Sequence, residues 1–255
     1  MDLRKAVLLL ASLSAYPSSP ATAEEPVRVL ATGVFATALQ SLAGPFESAS
    51  GYKIQVSIAN AGEVASRIVA GEASDLVMSS SAGIKSLAKQ NLLASNEVMI
   101  GKMRLGLAVQ SGAAVPDLTS TETVRALLLS ADKVAYIDPN GGGTSGPFFE
   151  TMFVSLGVAD AVHAKAVLCK TGSEIVRTVA EGRAAVGLTQ ASEMIGASGV
   201  AFAGYLPDTI NLTTVYAASI AARSNNPKGA AAFLEFVAGR IGGDQFRRAG
   251  WDVDR

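Results

Sequence analysis

Hydrophobic positions alternate between strand and helix spacing along the first third of the chain. Val27–Ala31 is a short aliphatic run that is typical of a buried strand. Apolar residues at helical spacing from Phe35 to Phe46 predict an amphipathic helix, which Pro45 should kink or end. The pattern continues with a strand over Ile54–Ile58, a helix over Val64–Val69 and a strand over Asp75–Ser79. Such alternation predicts a parallel sheet with right-handed crossovers and helices on both faces.

The same alternation returns in a looser form along the rest of the chain. Further strands are predicted over Met103–Val109, Val134–Ile137, Ala185–Thr189, Val200–Leu206 and Thr213–Ala222. Further helices are predicted over Phe148–Leu156, Ile175–Ala180, Ala230–Ala238 and Asp244–Ala249. We therefore expect an α/β fold of two lobes, each a mostly parallel sheet flanked by helices. Lobe I would comprise residues 24–105 and 217–255, and lobe II residues 106–216, with connecting strands near Leu105–Val109 and Val215–Ile220.

The first 23 residues have the pattern of a secretory signal peptide. Arg4 and Lys5 precede an apolar run from Ala6 to Tyr16, and the small residues that follow end in Ala21-Thr22-Ala23. That apolar run is too short to cross the ~30 Å hydrocarbon core of a membrane. We therefore expect cleavage after Ala23 and export to the periplasm.

Composition narrows the function classes. Hydrophobic residues make up 49% of the 255 residues, which is enough to build a sizeable core. The formal net charge is -1, so the clustered cations that nucleic acids require are missing. A single cysteine, Cys169, excludes an intramolecular disulfide, and a single histidine, His163, excludes a histidine-rich metal site. We expect no metal, no cofactor and no nucleic-acid partner.

Five loops of small or hydroxylated residues follow predicted strands. In open α/β sheets ligands bind outside the carboxyl ends of the strands, where N–H groups at helix starts attract anions. Ordinary helix capping explains any one of these loops. Five of them at corresponding strand ends favour a cleft for a small anion. The loops are Thr32–Phe35, Asn60–Glu63, Ser79–Ser81, Asn140–Gly146 and Thr171–Glu174.

Other chemistry is weakly indicated. Gly141, Gly143 and Gly146 have G-x-G-x-x-G spacing, but they lie too late in the chain for a dinucleotide fold, and no Lys-Ser or Lys-Thr follows for a P-loop. The acids near the loops are Glu63, Glu174 and Glu193, and favourable placement at a helix start explains the first two equally well. Without an evident base–nucleophile pair, we expect a binding protein and not an enzyme.

The order of several short motifs resembles the molybdate-binding periplasmic proteins of ABC importers, a branch of the type II periplasmic binding fold. The likeness runs over nearly all of Val27–Arg255. It lies in Val29-Leu30-Ala31, Ala65-Ser66-Arg67-Ile68, Asp75-Leu76, Asp138-Pro139, Gly187-Leu188 before Gln190-Ala191-Ser192, and the Phe246–Gly250 ending. The resemblance implies an exported receptor, expected to be a monomer, whose lobes close over one solute and deliver it to a membrane permease.

The ligand positions that the resemblance implies depart from the family pattern. Val34 stands where a serine is usual, Asn60-Ala61-Gly62 replaces a serine cluster, and Gln190 replaces a tyrosine. Each missing donor to a charged, desolvated ligand costs about 1.5–3 kcal/mol, which favours a small organic carboxylate over molybdate. The predicted ligand-binding residues are Thr32, Gly33, Val34, Asn60, Ala61, Gly62, Ser80, Thr144, Ser145, Gly172, Ser173 and Gln190.

Three alternatives remain open at this point. The first is transport of molybdate or tungstate by the same cleft. The second is a periplasmic sensor subunit that passes its closed state to a signalling partner. The third is an exported enzyme that uses Glu63 or Glu174 with Ser145. Lys102 and Arg104 are expected to lie exposed on the surface, with contact to a carboxylate ligand as the alternative.

Overall fold

The computed structural model describes residues 25–94 and 96–254, so the predicted signal peptide lies outside the described residues. The strands are β1 Val27–Thr32, β2 Ile54–Ala59, β3 Leu76–Ser80, β4 Val98–Gln110, β5 Val134–Ile137, β6 Ala166–Cys169, β7 Val186–Gln190, β8 Val200–Tyr205 and β9 Thr213–Ile220. The helices are α1 Ala36–Ser50, α2 Ala61–Val69, α3 Ser81–Lys89, α4 Thr121–Ser130, α5 Gly146–Ser155, α6 Ala159–His163, α7 Gly172–Ala180, α8 Ala191–Met194, α9 Pro227–Ala238 and α10 Arg240–Arg248.

The strands form one continuous curled sheet in the order β2-β1-β3-β9-β4-β7-β5-β6, with β8 also paired to β4. Parallel pairs lie toward both ends: β1 pairs with β2 and β3, and β5 pairs with β6 and β7. The long strand β4 joins them, since its residues up to Arg104 pair with β9 and those from Leu105 pair with β7 and β8. The predicted two-lobed α/β fold is confirmed, whereas the residue boundaries of the lobes stay a prediction.

Each lobe has its own hydrophobic core. In lobe I, the side chain of Phe35 is fully buried and contacts Tyr216, Phe246 and Trp251, with 4.9 Å between the Phe35 and Trp251 ring centres. The chain therefore returns at its end to the lobe in which it began, because Phe246 lies on α10. In lobe II, Tyr136 packs edge-on against Phe149 and Phe153.

Several elements differ from the predictions. Pro45 does not end α1, which continues to Ser50 and closes at Gly51, whose φ of 78° suits glycine. Burial of Leu42 and Phe46 on either side of the proline holds the helix to the core. The helices α3, α4, α6 and α8 and the strand β6 were not predicted, and β4 begins at Val98, before the predicted Met103.

Asp75 connects the start of β3 to the loop before α9. Its side chain is 2% exposed and accepts hydrogen bonds from the backbone N–H of Arg28 at 2.8 Å and from Ser224 Oγ at 2.7 Å. The N–H groups of Asn225 and Asn226 donate to the same carboxylate at 2.9 Å each. Burial alone raises the pKa of Asp75, but these hydrogen bonds outweigh it and hold the pKa below its ordinary value.

Replacement of Asp75 by alanine is expected to lower the free energy of unfolding by about 2 kcal/mol at pH 7, because four donors lose the buried carboxylate that accepts their hydrogen bonds. Since the folded pKa is depressed, the contribution of the charged carboxylate is present above ~pH 4 and is lost as the pH falls through the folded pKa. Urea denaturation at pH 7 and pH 3 measures both effects. The exposed Asp132 provides the control: Asp132→Ala should leave stability within ~0.5 kcal/mol. Equal loss in both variants would contradict the prediction.

Candidate functional site

A cleft that opens to solvent lies where the carboxyl ends of β1, β2, β5, β6 and β7 meet. This is the position at which open α/β sheets bind ligands. Residues from both lobes line it. Those that the sequence predicted are Thr32, Gly33, Val34, Asn60, Ala61, Thr144, Ser145, Gly172 and Gln190.

Three predicted residues do not line the cleft. Gly62 donates its backbone N–H to the carbonyl of Gly142 at 2.9 Å. Ser80 Oγ accepts the N–H of Gly83 and caps α3, a helix that the sequence analysis missed. Ser173 Oγ lies 3.0 Å from Thr171 Oγ1, within the first turn of α7. The hydroxyl groups of Ser80 and Ser173 therefore form hydrogen bonds within their own loop or helix start.

Helix N-termini surround the cleft. A 3₁₀ turn over Gly33–Phe35 leads into α1, and the starts of α2, α5 and α7 face the same space. The side chains of Asn60 and Thr171 cap α2 and α7, whereas Ser145 makes no capping bond to α5. Partial positive charge on these backbone N–H groups makes the cleft attractive to anions.

Two buried polar side chains of the cleft have no hydrogen-bond partner within residues 25–94 and 96–254. They are Thr32, through Oγ1, and Gln190, through both Oε1 and Nε2, and each residue is 5% exposed. A buried polar group without a partner costs about 1–3 kcal/mol. Such groups are typical of positions that hold a ligand.

Glu193, on the one-turn helix α8, places its carboxyl group inside the cleft. Its Oε2 accepts a hydrogen bond from Thr189 Oγ1 at 2.6 Å, and the backbone N–H groups of Gln190 and Gly172 also donate to it. Burial raises the pKa of the Glu193 carboxyl to about 7, against the opposing effect of these hydrogen bonds. The cleft therefore contains an acid that changes its charge near neutral pH.

Two glycines make room for the Glu193 carboxyl group. A Cβ atom at Gly33 would lie 2.5 Å from Glu193 Oε1, and one at Gly172 would overlap the same carboxyl group. The turn before α1 and the start of α7 thus approach the Glu193 carboxyl group closely, and a side chain at either glycine would displace it. The other two acids named in the sequence analysis lie elsewhere: Glu63 is 3.8 Å from Arg67, and Glu174 accepts the N–H of Lys170 at 2.8 Å.

Lys170 and Tyr216 also line the cleft, and neither was predicted. Burial, together with the nearby charge of Glu193, raises the pKa of the Tyr216 phenol, so it stays protonated at neutral pH. Lys170 is the one cation among the described residues that line the cleft. Lys102 and Arg104 are not among the described residues that line the cleft: Lys102 pairs with Asp254 at 2.8 Å, and Arg104 pairs with Asp208.

Hydrogen bonds hold the lobes together beside the cleft. Besides the bond from Gly62 to Gly142, Ser192 Oγ donates to the carbonyl of Val34 at 2.8 Å. Thr37 Oγ1 donates to the carbonyl of Ser192 at 3.3 Å. Each of these bonds joins an element near β1 or β2 to one near β5 or β7, as expected when two lobes are closed.

The part of the chain that the structure describes contains neither a cluster of metal-binding side chains nor a membrane-spanning helix. No group of three or more histidine, cysteine, aspartate or glutamate side chains within it is arranged to hold a metal ion. Within the same ranges, no helix combines the length and apolar character needed to span a bilayer.

Comparisons with known proteins agree with this architecture. The sequence profile of a family described as bacterial extracellular solute-binding protein matches residues 27–252. An aconitate isomerase from Pseudomonas sp. is 28% identical over 240 residues, which cover 91% of this chain and 88% of that protein. The periplasmic molybdate-binding protein of Azotobacter vinelandii has a TM-score of 0.78 and 20% identity, covering 90% of this chain and 100% of that one. The sulfate-binding protein of Mycobacterium tuberculosis has a TM-score of 0.73 and 16% identity, covering 91% and 88%.

Proposed function

This chain belongs to the bacterial extracellular solute-binding proteins, and we propose that it captures a small organic carboxylate in the cleft for a membrane permease of an ABC importer. The observation that carries the proposal is the set of hydrogen-bond donors around one space. Thr32, Gln190 and Tyr216 supply side-chain donors, and the helix starts supply backbone N–H groups. Closure of the lobes over the solute would change the surface that the permease meets.

The lining of the cleft favours a carboxylate over a tetrahedral oxyanion. Val34, Ala61 and Ile137 present carbon where an oxyanion would need donors. Glu193 already takes the N–H of Gly172, so a doubly charged oxyanion would meet a carboxyl group in place of a donor. An organic acid has a carbon skeleton that can pack against Val34, Ala61 and Ile137. Its carboxylates can bind Lys170 and the N–H groups at the helix starts. The relative that is named for aconitate, a tricarboxylic acid, supports this class of ligand.

Isothermal titration calorimetry with a panel of anions tests the proposal. The panel comprises trans-aconitate, cis-aconitate, citrate, succinate, molybdate and sulfate. We expect at least one carboxylate to bind with a Kd of about 10 µM or tighter, equivalent to about -7 kcal/mol, and molybdate to bind at least tenfold more weakly. Tighter binding of molybdate or sulfate than of every carboxylate would refute the ligand class.

A second candidate function is isomerisation of an unsaturated carboxylic acid. The position of Glu193 favours it, because a carboxyl group with a pKa of about 7 inside a cleft is suited to exchange protons with bound substrate. In this scheme Glu193 removes a proton from a carbon next to the double bond and a proton returns at the far end, so the double bond shifts. Proton NMR of cis-aconitate in D₂O tests it: enzyme-dependent deuterium incorporation that is lost in Glu193→Gln would support turnover. Spectra that stay unchanged over hours would exclude isomerisation of cis-aconitate and leave solute binding as the proposed function.

A further inference from the structure

Glu193 occupies a place in the cleft that an anionic ligand would otherwise fill. Its carboxyl group lies at the start of α7, where it takes the N–H of Gly172, and beside Gly33 at the turn before α1. A Cβ atom at Gly33 would lie 2.5 Å from this carboxyl group, and one at Gly172 would overlap it. The protein thus supplies one acidic group of its own at the centre of an anion site, next to unpaired Thr32 and Gln190.

Two like charges in such a space repel each other strongly, because little water screens them. Binding of an anionic ligand beside an ionised Glu193 is therefore unfavourable. A neutral Glu193 carboxylic acid can instead donate a short hydrogen bond to the anion. We propose that the cleft binds its carboxylate ligand together with one proton. Glu193 holds this proton, and its O–H group donates a hydrogen bond to the ligand. Glu193 is then a specificity-determining residue, because it selects ligands that accept a hydrogen bond from a carboxylic acid. This inference rests on the proposed function.

The surroundings of Glu193 support uptake of that proton. Burial already raises the pKa of Glu193 to about 7 before any anion arrives, and an adjacent anion would raise it further. Among the described residues that line the cleft, the other titratable groups are Lys170 and Tyr216, and the Tyr216 phenol stays neutral.

The elements packed against α8 carry few other charges. Helix α7 contributes Glu174, held by the N–H of Lys170, and Arg177, whose charge acts on the Cys169 thiol. Strand β4 contributes Arg104, paired with Asp208, and Lys102, paired with Asp254. Strand β8 contributes Tyr205, and α1 contributes Glu47, 3.6 Å from Lys53. None of these charged groups is among the causes of the pKa shift of Glu193, which are burial and the hydrogen bonds from Thr189, Gln190 and Gly172.

Calorimetry of trans-aconitate and citrate in two buffers with different ionisation enthalpies, phosphate and Tris, measures the protons taken up on binding. At pH 8 we expect uptake approaching one proton per ligand by the wild-type protein and none by Glu193→Gln. Between pH 7 and pH 9 the wild-type Kd should rise about tenfold or more, since proton-linked affinity falls as the proton becomes scarce. The Glu193→Gln variant, which keeps a donor but cannot titrate, should lose this pH dependence.

Two further variants keep the test independent of folding. Thr189→Val removes the hydroxyl donor to Glu193, so the midpoint of the proton uptake should move to higher pH. Glu174→Gln changes an acid of α7 outside the cleft and should retain full uptake. Binding of trans-aconitate or citrate without proton uptake by the wild-type protein would overturn the inference and leave the proposed function standing. If neither acid binds the wild-type protein at any pH, both fail.

Discussion

Replacement of Gln190 by leucine is expected to weaken carboxylate binding by about 10- to 150-fold, while leaving the fold as stable as before or more stable. The amide of Gln190 is buried and has no hydrogen-bond partner among the described residues, so its donor and acceptor are available to the ligand. A hydrogen bond to a charged group contributes about 1.5–3 kcal/mol, which corresponds to that loss of affinity. Leucine has a similar volume, and it relieves the cost of an unpaired buried amide.

Calorimetry with the tightest-binding acid of the panel and urea denaturation together measure the two opposite effects. Thr32→Val removes the unpaired hydroxyl group of Thr32 and should also weaken carboxylate binding. Gln90→Leu is the matched control, because Gln90 is exposed at the end of α3 and its side-chain amide donates to the carbonyl of Ser86 in that helix. Unchanged affinity in Gln190→Leu would refute a role in binding. A fall in stability above ~2 kcal/mol would mark Gln190 as a structural residue.

The location of the cleft could be predicted from sequence because it depends on local patterns. Each predicted loop follows an aliphatic run and precedes a helical one, and the carboxyl ends of parallel strands meet at one edge of a sheet. Nine of the twelve chosen residues lie along the cleft for this reason. Ser80 follows β3 in the same way but does not line the cleft; its hydroxyl oxygen accepts the N–H of Gly83 and caps α3.

Tyr216 and Lys170 were not predicted, and Glu193 was named only as one of three acids near the loops. Tyr216 lies inside β9 and reaches the cleft only because that antiparallel strand sits between β3 and β4, opposite Ser80 and Gly101. Such pairing joins residues far apart in sequence, and no local pattern records it. Glu193 lies on a helix of four residues, too short to show helical periodicity. The glycines beside its carboxyl group are a second signal, since Gly33 begins the turn before α1 and Gly172 begins α7.

Replacement of Gly242 by alanine is expected to cost about 3 kcal/mol or more in stability, the largest effect on folding that we predict. Gly242 is buried in the first turn of α10, where an added Cβ would overlap the carbonyl oxygen of Val237 in α9. Main-chain atoms of a packed helix cannot move aside as the end of a side chain can, so the two helices must separate. The neighbouring Gly243 offers the control: there a Cβ would lie 3.6 Å from the nearest atom, at the end of Arg247.

Gly243→Ala should leave stability unchanged or raise it by about 0.5–1 kcal/mol, because alanine is the better helix former and meets only ordinary contacts. Thermal and urea denaturation of the two variants separate a steric cause from a general intolerance of α10 to substitution. Phe246 on the same helix contacts Phe35, at the end of the turn that carries Gly33. Displacement of α10 in Gly242→Ala should therefore also disturb the space around the Glu193 carboxyl group and weaken ligand binding. Equal stability of the two alanine variants would show that α9 and α10 are not held as closely as the contact between Gly242 and Val237 requires.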